Sequence, residues 1–209
     1  MIRKPLRTLT AATSLALAAC AHSSPLLDGT SMTNASGKTV ADRQPVKEWP
    51  LRFDSHKFSV FTYDTYGAKV VYAGQVQIDQ DDDELKRSSA SYGPDYQRSW
   101  SGIHGMIRNF PAPAKVSWRS KDGQAHEAEI DFGEIFKDER VRHNVPREEV
   151  ADMADGEYRH EPSIILEIND RTIRVYMRAM IFLKREVEVA GHIRADFRDD
   201  LIRVKTFNY

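Results

Sequence analysis

The stretch that decides the fold is Ser163–Lys184, SIILEINDRTIRVYMRAMIFLK. Two apolar runs with period-two alternation flank the polar pair Asn169-Asp170, which predicts two antiparallel strands joined by a two-residue turn. This turn sets Leu166 opposite Ile173 on one apolar face. The end of the second strand carries apolar residues on both faces, which predicts a strand that is covered on both sides.

A second hairpin turns at Asp122-Gly123, the strongest short-range hairpin signal. A two-residue loop would pair Trp118 with Glu127, whereas a three-residue loop that adds Gln124 pairs Trp118 with Ala128 on an apolar face. We favour the longer loop, because a one-residue change of register moves every side chain of a strand to the opposite face.

Three further segments alternate with period two and are interpreted as strands: Lys57–Tyr63, Lys69–Asp79 and Asp200–Phe207. Helix is scarce. Pro146 and the two glutamates after it predict one short helix near residues 146–155, because proline and acidic residues are favoured in a first turn. The sequence therefore predicts a mainly β (α+β) fold, an antiparallel sheet or sandwich with one short helix.

Upstream of this domain the composition changes twice. Residues 1–19 have a basic start and an uncharged run of small and aliphatic residues, which is typical of a secretory signal and too short for a membrane span. Residues 20–48 are rich in Ser, Thr, Asn, Gly, Pro and Ala and lack apolar periodicity. We interpret them as a flexible tether, followed by a single β-rich domain over residues 49–209.

The signal ends in Leu17-Ala18-Ala19-Cys20, which resembles the lipobox of bacterial lipoproteins. The resemblance implies cleavage before Cys20, a diacylglycerol on its thiol and usually a further acyl chain such as palmitate on the new amino group. Several chains exceed the limit for weak, reversible anchoring. An ordinary cleaved signal is the alternative. Ala21 at the position after the cysteine implies, by the same resemblance, an outer-membrane protein that faces the periplasm.

The charge balance argues against nucleic-acid binding, and the cysteine content excludes an internal disulfide. The chain has 30 Lys+Arg and 31 Asp+Glu, and residues 1–19 hold three of the basic groups and no acid, so the remainder has a net charge near −4. This balance does not favour nucleic-acid binding. Cys20 is the only cysteine, so the chain has no internal disulfide.

No catalytic signature is found in the sequence: no Gly-x-Ser-x-Gly, no His-Glu-x-x-His, no glycine-rich phosphate loop and no Cys-x-x-Cys. The seven histidines are far apart, with no pair at metal-ligand spacing. We therefore predict a protein that is not an enzyme and that needs no metal or cofactor. A catalytic site assembled in space from distant residues stays open as an alternative.

The acidic run Asp79–Glu84 resembles a calcium loop only in part. An EF-type loop needs Gly at its sixth position and Glu at its twelfth, and these positions hold Glu84 and Ala90. A solvated acidic loop is one interpretation. The other is a patch that attracts a basic partner and raises its association rate.

The polar segment that follows contains three aromatic residues. Exposed tyrosines are frequent in binding hot spots, whereas Trp100 is interpreted as a core residue. The candidate partner-contact residues are Asp81, Asp82, Asp83, Tyr92 and Tyr96.

The pattern Pro113-x-x-Val116-x-Trp118, followed by the hairpin of Ile164–Ala179, resembles a group of Gram-negative lipoproteins. Some of these are similar to immunity lipoproteins encoded beside type VI secretion lipase effectors. The resemblance implies stoichiometric binding of such an effector by a membrane-anchored domain. An envelope-assembly or scaffolding lipoprotein is the alternative from another class.

Overall fold

The computed structural model describes residues 43–209, and the predicted mainly β class is confirmed. The predicted signal peptide, Cys20 and most of the predicted tether lie outside the described residues. The strands are β1 (Ser55–Tyr63), β2 (Thr65–Tyr72), β3 (Gln75–Asp79), β4 (His104–Arg108), β5 (Ala114–Ser120), β6 (Ala125–Ile130), β7 (Ser163–Asn169), β8 (Thr172–Arg178), β9 (Ile181–Val189), β10 (His192–Arg198) and β11 (Leu201–Asn208).

These strands form three sheets. The five-stranded sheet has the order β11-β8-β7-β1-β4, and the four-stranded sheet has the order β3-β2-β5-β6. Strands β9 and β10 form a separate two-stranded ribbon. The pairing of β1 with β7 is parallel and every other pairing of named strands is antiparallel, so the five-stranded sheet is mixed.

The β7–β8 hairpin has the predicted two-residue loop, but its position differs by one residue. The loop is Asp170-Arg171, and Asn169 pairs with Thr172. Leu166 therefore lies opposite Val175 instead of Ile173. Moving the loop by one residue shifts the pairing register by two residues. The apolar residues therefore stay on the predicted face.

The β5–β6 hairpin shows the same kind of difference. Its loop has three residues, as predicted, but they are 121–123, so Trp118 pairs with His126 and not with Ala128. Gly123 has a φ of 85° within this turn. Again the two-residue slip preserves the face: Trp118 and His126 are both buried.

Two tight turns were not predicted. The predicted single strand Lys69–Asp79 is a hairpin that reverses at Ala73-Gly74, where the two φ values are positive, 52° and 72°. Ala190-Gly191 joins β9 to β10 with nearly the same geometry, 53° and 79°. Alanine lacks the side-chain oxygen that is typical of Asn-Gly and Asp-Gly turns. The sequence pattern therefore does not predict these two turns.

Helix is indeed scarce, but its position differs from the prediction. Within residues 146–155 only Arg147–Glu149 is helical, as one 3-10 turn. The short α-helix α1 is instead Phe132–Ile135, whose first turn is capped by the Asp131 side chain accepting from the Glu134 N–H at 3.0 Å. Phe132 of this helix is buried, so packing stabilises a helix of only four residues.

One apolar core joins the five-stranded and four-stranded sheets. Phe58 of β1 contacts Tyr72 of β2 at a ring-centroid distance of 4.8 Å and Phe132 of α1 at 5.5 Å. The Trp118 indole N–H donates to the backbone oxygen of Asp170 at 2.7 Å, which ties β5 to the β7–β8 turn. We call this layer the shared core, and it makes the domain a β-sandwich.

The described chain joins the domain before the predicted boundary at Trp49. Backbone hydrogen bonds link Gln44 with Met153 and the N–H of Lys47 with the oxygen of Gly156. Val46 between them is buried. Residues 44–47, which the sequence assigns to the tether, therefore pack against the domain.

Candidate functional site

The outer face of the five-stranded sheet, opposite the shared core, is covered by residues 88–100, here called the aromatic loop. Trp100 at its end is 2% exposed and stacks on Phe61 with a centroid distance of 4.6 Å and an interplanar angle of 6°. Its ring edge also meets Tyr176 of β8 at 5.7 Å. The prediction that Trp100 is a core residue is confirmed, and this tryptophan fixes one end of the loop.

Beneath the loop lies a polar network, here called the Glu167 cluster. Glu167 of β7 has no exposed surface, and its carboxylate accepts from the hydroxyls of Tyr96 and Tyr176 at 2.8 Å each. The members of the cluster are Glu167, Tyr96, Gln97, Asn169, Arg174 and Tyr176.

Two amide side chains complete this network. The amide nitrogen of Gln97 donates to the hydroxyl of Tyr96 at 3.0 Å and to that of Tyr176 at 2.9 Å, so each tyrosine both accepts and donates. Asn169 donates to the Glu167 carboxylate at 3.0 Å. The buried carboxylate thus has a donor on each side, as a buried charge requires.

The charge of Glu167 is balanced by Arg174, the residue opposite it in the β7–β8 register, at 3.3 Å. Burial is the main cause, and the hydrogen bond to Glu167 the second, that raises the pKa of Tyr96 to about 12. Burial likewise raises the pKa of Tyr176, with the Glu167 charge adding to it. Both hydroxyls therefore stay protonated at neutral pH and remain donors to the carboxylate.

The cluster has a clear structural effect. Tyr96 and Gln97 come from the aromatic loop, whereas Glu167 and Tyr176 come from the sheet. The Tyr96–Glu167 and Gln97–Tyr176 hydrogen bonds therefore join loop to sheet. Asn169 of β7 also donates to the hydroxyl oxygen of Ser89 at the beginning of the loop, at 3.0 Å. The loop is held at both ends and in its middle.

The structure brings the two predicted contact tyrosines together. Tyr92 and Tyr96 both contact the ring of Tyr63, at 5.8 Å and 5.3 Å. They border a groove of about 540 Å³ between the aromatic loop and residues 80–87. Tyr92 is 56% exposed, whereas Tyr96 is half-buried because its hydroxyl reaches Glu167.

The three predicted aspartates do not line this groove. Asp82 turns towards the four-stranded sheet, where the Arg119 Nε donates to its carboxylate at 2.8 Å. Asp81 and Asp83 are exposed, and no ion pair to either is present in residues 43–209. The backbone around them is fixed, because the Gly67 N–H donates to the Asp81 oxygen.

One serine, histidine and aspartate are close together at the β5–β6 turn. The His126 Nε2 lies 3.0 Å from the Ser120 Oγ, but Ser120 donates to Asp122 at 2.5 Å, and Ser120 has no exposed surface. In a catalytic triad the acid orients the histidine, not the serine. Asp122 instead completes the turn, and the Ser120 hydroxyl, the Gln124 N–H and Arg171 lower the pKa of Asp122 to about 2.

Sequence reasoning missed Glu167, Gln97, Asn169, Arg174 and Tyr176. One signal for Glu167 was present: it is the only charged residue within Ser163–Asn169, a strand otherwise dominated by apolar residues. The predicted register pairs it with Thr172, whereas the observed register gives it Arg174. Because the predicted register was wrong by two residues, the Glu167–Arg174 ion pair was not predicted.

Within residues 43–209 no group of three or more His, Cys, Asp and Glu side chains is arranged to hold a metal ion. No helix in that range is long and apolar enough to cross a membrane. No family model matches the chain, and no curated protein and no solved structure was found to be similar to it. The likeness to immunity lipoproteins stays a prediction.

Proposed function

We propose that this chain is an outer-membrane lipoprotein whose β-sandwich faces the periplasm and binds and neutralises a protein partner. The proposed partner is a type VI secretion effector, and among these effectors the lipases are the best candidates. In this proposal the aromatic loop is the contact surface, and the protein acts by stoichiometric binding.

The observation that carries the proposal is the exposure of Tyr92 on a loop that is fixed in place. Tyr92 is 56% exposed, while Trp100 and the Glu167 cluster hold the rest of the loop on the sheet. A binding surface that is already ordered loses less conformational entropy on association. Tyrosine is also among the residues that dominate binding hot spots.

The charges beside the loop support a partner with a basic surface. Asp81 and Asp83 are exposed carboxylates that have no ion pair within residues 43–209. Such rim charges mainly raise the rate of association and its dependence on salt, and they add little to affinity. Asp82 should contribute less to this attraction, because its charge is neutralised by Arg119.

The lipobox-like end of the signal supports the anchored location. A lipid on Cys20 and a tether of about 23 residues, from Ala21 to Arg43, would let the domain move roughly 25 Å from the membrane. This placement concentrates the domain near the phospholipid that a lipase attacks. Replacement of Cys20 by Ser tests the anchor: we expect the variant to leave the membrane fraction with its fold unchanged.

Site-specific crosslinking in cells tests the contact surface. A photo-crosslinking amino acid at Tyr92 should capture one protein partner. The control is the same amino acid at Val76 of β3, which is 55% exposed and belongs to the four-stranded sheet. A partner captured equally from both positions, or from Val76 alone, contradicts the assignment of the aromatic loop.

Gene deletion tests the protective role. Loss of this chain should be toxic only in cells that carry an active copy of the captured effector. Harmless deletion beside an active effector rejects neutralisation. Capture of several subunits of a membrane complex at Tyr92 would favour the scaffolding alternative.

A further inference from the structure

A second cavity lies on the same outer face, between the aromatic loop and the edge formed by β8 and β11. Its volume is about 520 Å³, and its lining is polar apart from Leu201. The polar lining includes Ser89, Gln97, Asn169, Arg174, Tyr176 and Arg203. The cavity is separate from the groove beside Tyr92, although Tyr96 borders both.

The cavity contains more positive than negative charge. Arg174 and Arg203 line it, and the nearest buried acid, Glu167, offsets only one of the two guanidinium groups. Arg203 is exposed, and its guanidinium has no ion pair or hydrogen bond to any part of residues 43–209. Arg174 contacts Glu167 through one nitrogen at 3.3 Å.

One uncharged group in the cavity is also a free donor. The Ser89 hydroxyl oxygen accepts from Asn169, which leaves its own proton free to donate. The carboxylate of Glu167 already accepts from Tyr96, Tyr176, Asn169 and Arg174. Within residues 43–209, the free donors of this cavity are those of Ser89, Arg174 and Arg203, and the amide oxygens of Gln97 and Asn169 are its free acceptors.

We propose that this cavity binds a phosphate group, either as the free anion or as part of a phosphate ester. Its free donors come from three separate segments of the chain, the aromatic loop, β8 and β11. A tetrahedral anion has several oxygens that can each accept from a separate donor, and guanidinium groups are the preferred partners of phosphate. Glu167 acts as a positioning residue, because it holds Arg174 and the loop that carries Ser89.

Calorimetric titration of inorganic phosphate into the full chain tests this site. We expect a Kd of roughly 0.1–1 mM, as suits a small anion held by a few charged hydrogen bonds. Arg203→Gln should weaken binding about tenfold, because it removes one of the two guanidinium groups. The control is Arg194→Gln, which removes an equal charge from the exposed ribbon strand β10 and should leave the Kd unchanged.

The outcomes separate the sources of the phosphate. Glycerol phosphate that binds more tightly than inorganic phosphate identifies an ester as the ligand, whereas weaker binding identifies the free anion. No measurable binding of either, or equal losses in Arg203→Gln and Arg194→Gln, overturns the proposal. Acetate that binds as tightly as phosphate overturns the assignment to phosphate.

Discussion

The shared core and the outer face of the same five-stranded sheet are built by different means. In the shared core, Phe58, Ile164 and Val175 have no exposed surface and pack against the four-stranded sheet. On the outer face, the buried apolar cluster within residues 43–209 is limited to Tyr63, Trp100, Ile165 and Tyr176, and a buried carboxylate lies beside it. The first side is mainly apolar, although His56 is buried in it against Tyr72, whereas the other side depends on a polar network.

This difference has a consequence for stability. The outer contacts join segments far apart in the chain: Tyr96 and Glu167 are separated by 71 residues and Gln97 and Tyr176 by 79. They fix one loop and do not hold the two large sheets together. Regions with few buried apolar contacts open at lower free energy than the core. We therefore expect the aromatic loop to open before the sandwich unfolds.

The largest effect is expected in the shared core. Phe58→Ala should lower the free energy of unfolding by about 3–5 kcal/mol, because the ring is fully buried between Tyr72 and Phe132. Denaturant titration with a cooperative, single transition measures this loss. Phe58→Leu is the control and should cost less. A loss below about 1 kcal/mol for the alanine variant would mean that the core is not shared as described.

A smaller and more local effect is expected for the outer face. Glu167→Gln keeps the shape but removes the charge that accepts from Tyr96, Tyr176 and Arg174. Hydrogen bonds to charged groups contribute about 1.5–3 kcal/mol, so a loss of about 2–3 kcal/mol is expected. Compared with the wild type, amide hydrogen exchange in the variant should accelerate in residues 88–100 and much less in β7. Unchanged protection in the loop would contradict the anchoring role.

Acid should weaken the margin of the shared core through His160. Burial lowers the pKa of His160 to about 3, and the ring stacks on Tyr158 at 3.9 Å. The folded state stays neutral while the unfolded state binds a proton below pH 6.5, so stability falls as the pH falls. The loss is about 1.4 kcal/mol for each unit below 6.5, or about 2 kcal/mol at pH 5.

His160→Phe separates this contribution from the rest. The Nε2 of His160 has no hydrogen-bond partner in the described part of the chain, so phenylalanine keeps the stacking and removes the titration. We expect the variant to lose less stability than the wild type between pH 7 and pH 5. Some acid sensitivity should remain, because burial also lowers the pKa of His56. Identical pH profiles for the two proteins would contradict the lowered pKa of His160.

The two sides of the sheet also differ in how far the sequence predicts them. Alternation in Ser163–Lys184 assigns Ile164 and Leu166 to the core even though the register is wrong by two residues, because a slip of two preserves the face. The Glu167–Arg174 pair depends on the register itself and was missed. Tyr92 and Tyr96 were selected by residue type, which does not distinguish an exposed ring from one tied to Glu167.

The smallest effect on stability is expected at the tip of the aromatic loop. Tyr92→Ser should change the free energy of unfolding by no more than about 0.5 kcal/mol, because the ring is 56% exposed and, among residues 43–209, meets the ring of Tyr63 alone. The same variant should lose partner capture in the crosslinking experiment, with the crosslinker placed at a neighbouring loop position. A loss of stability above about 1 kcal/mol would place Tyr92 with Trp100 as a structural residue. Because Tyr96 is tied to Glu167, the contact surface would then have to be sought at Asp81 and Asp83.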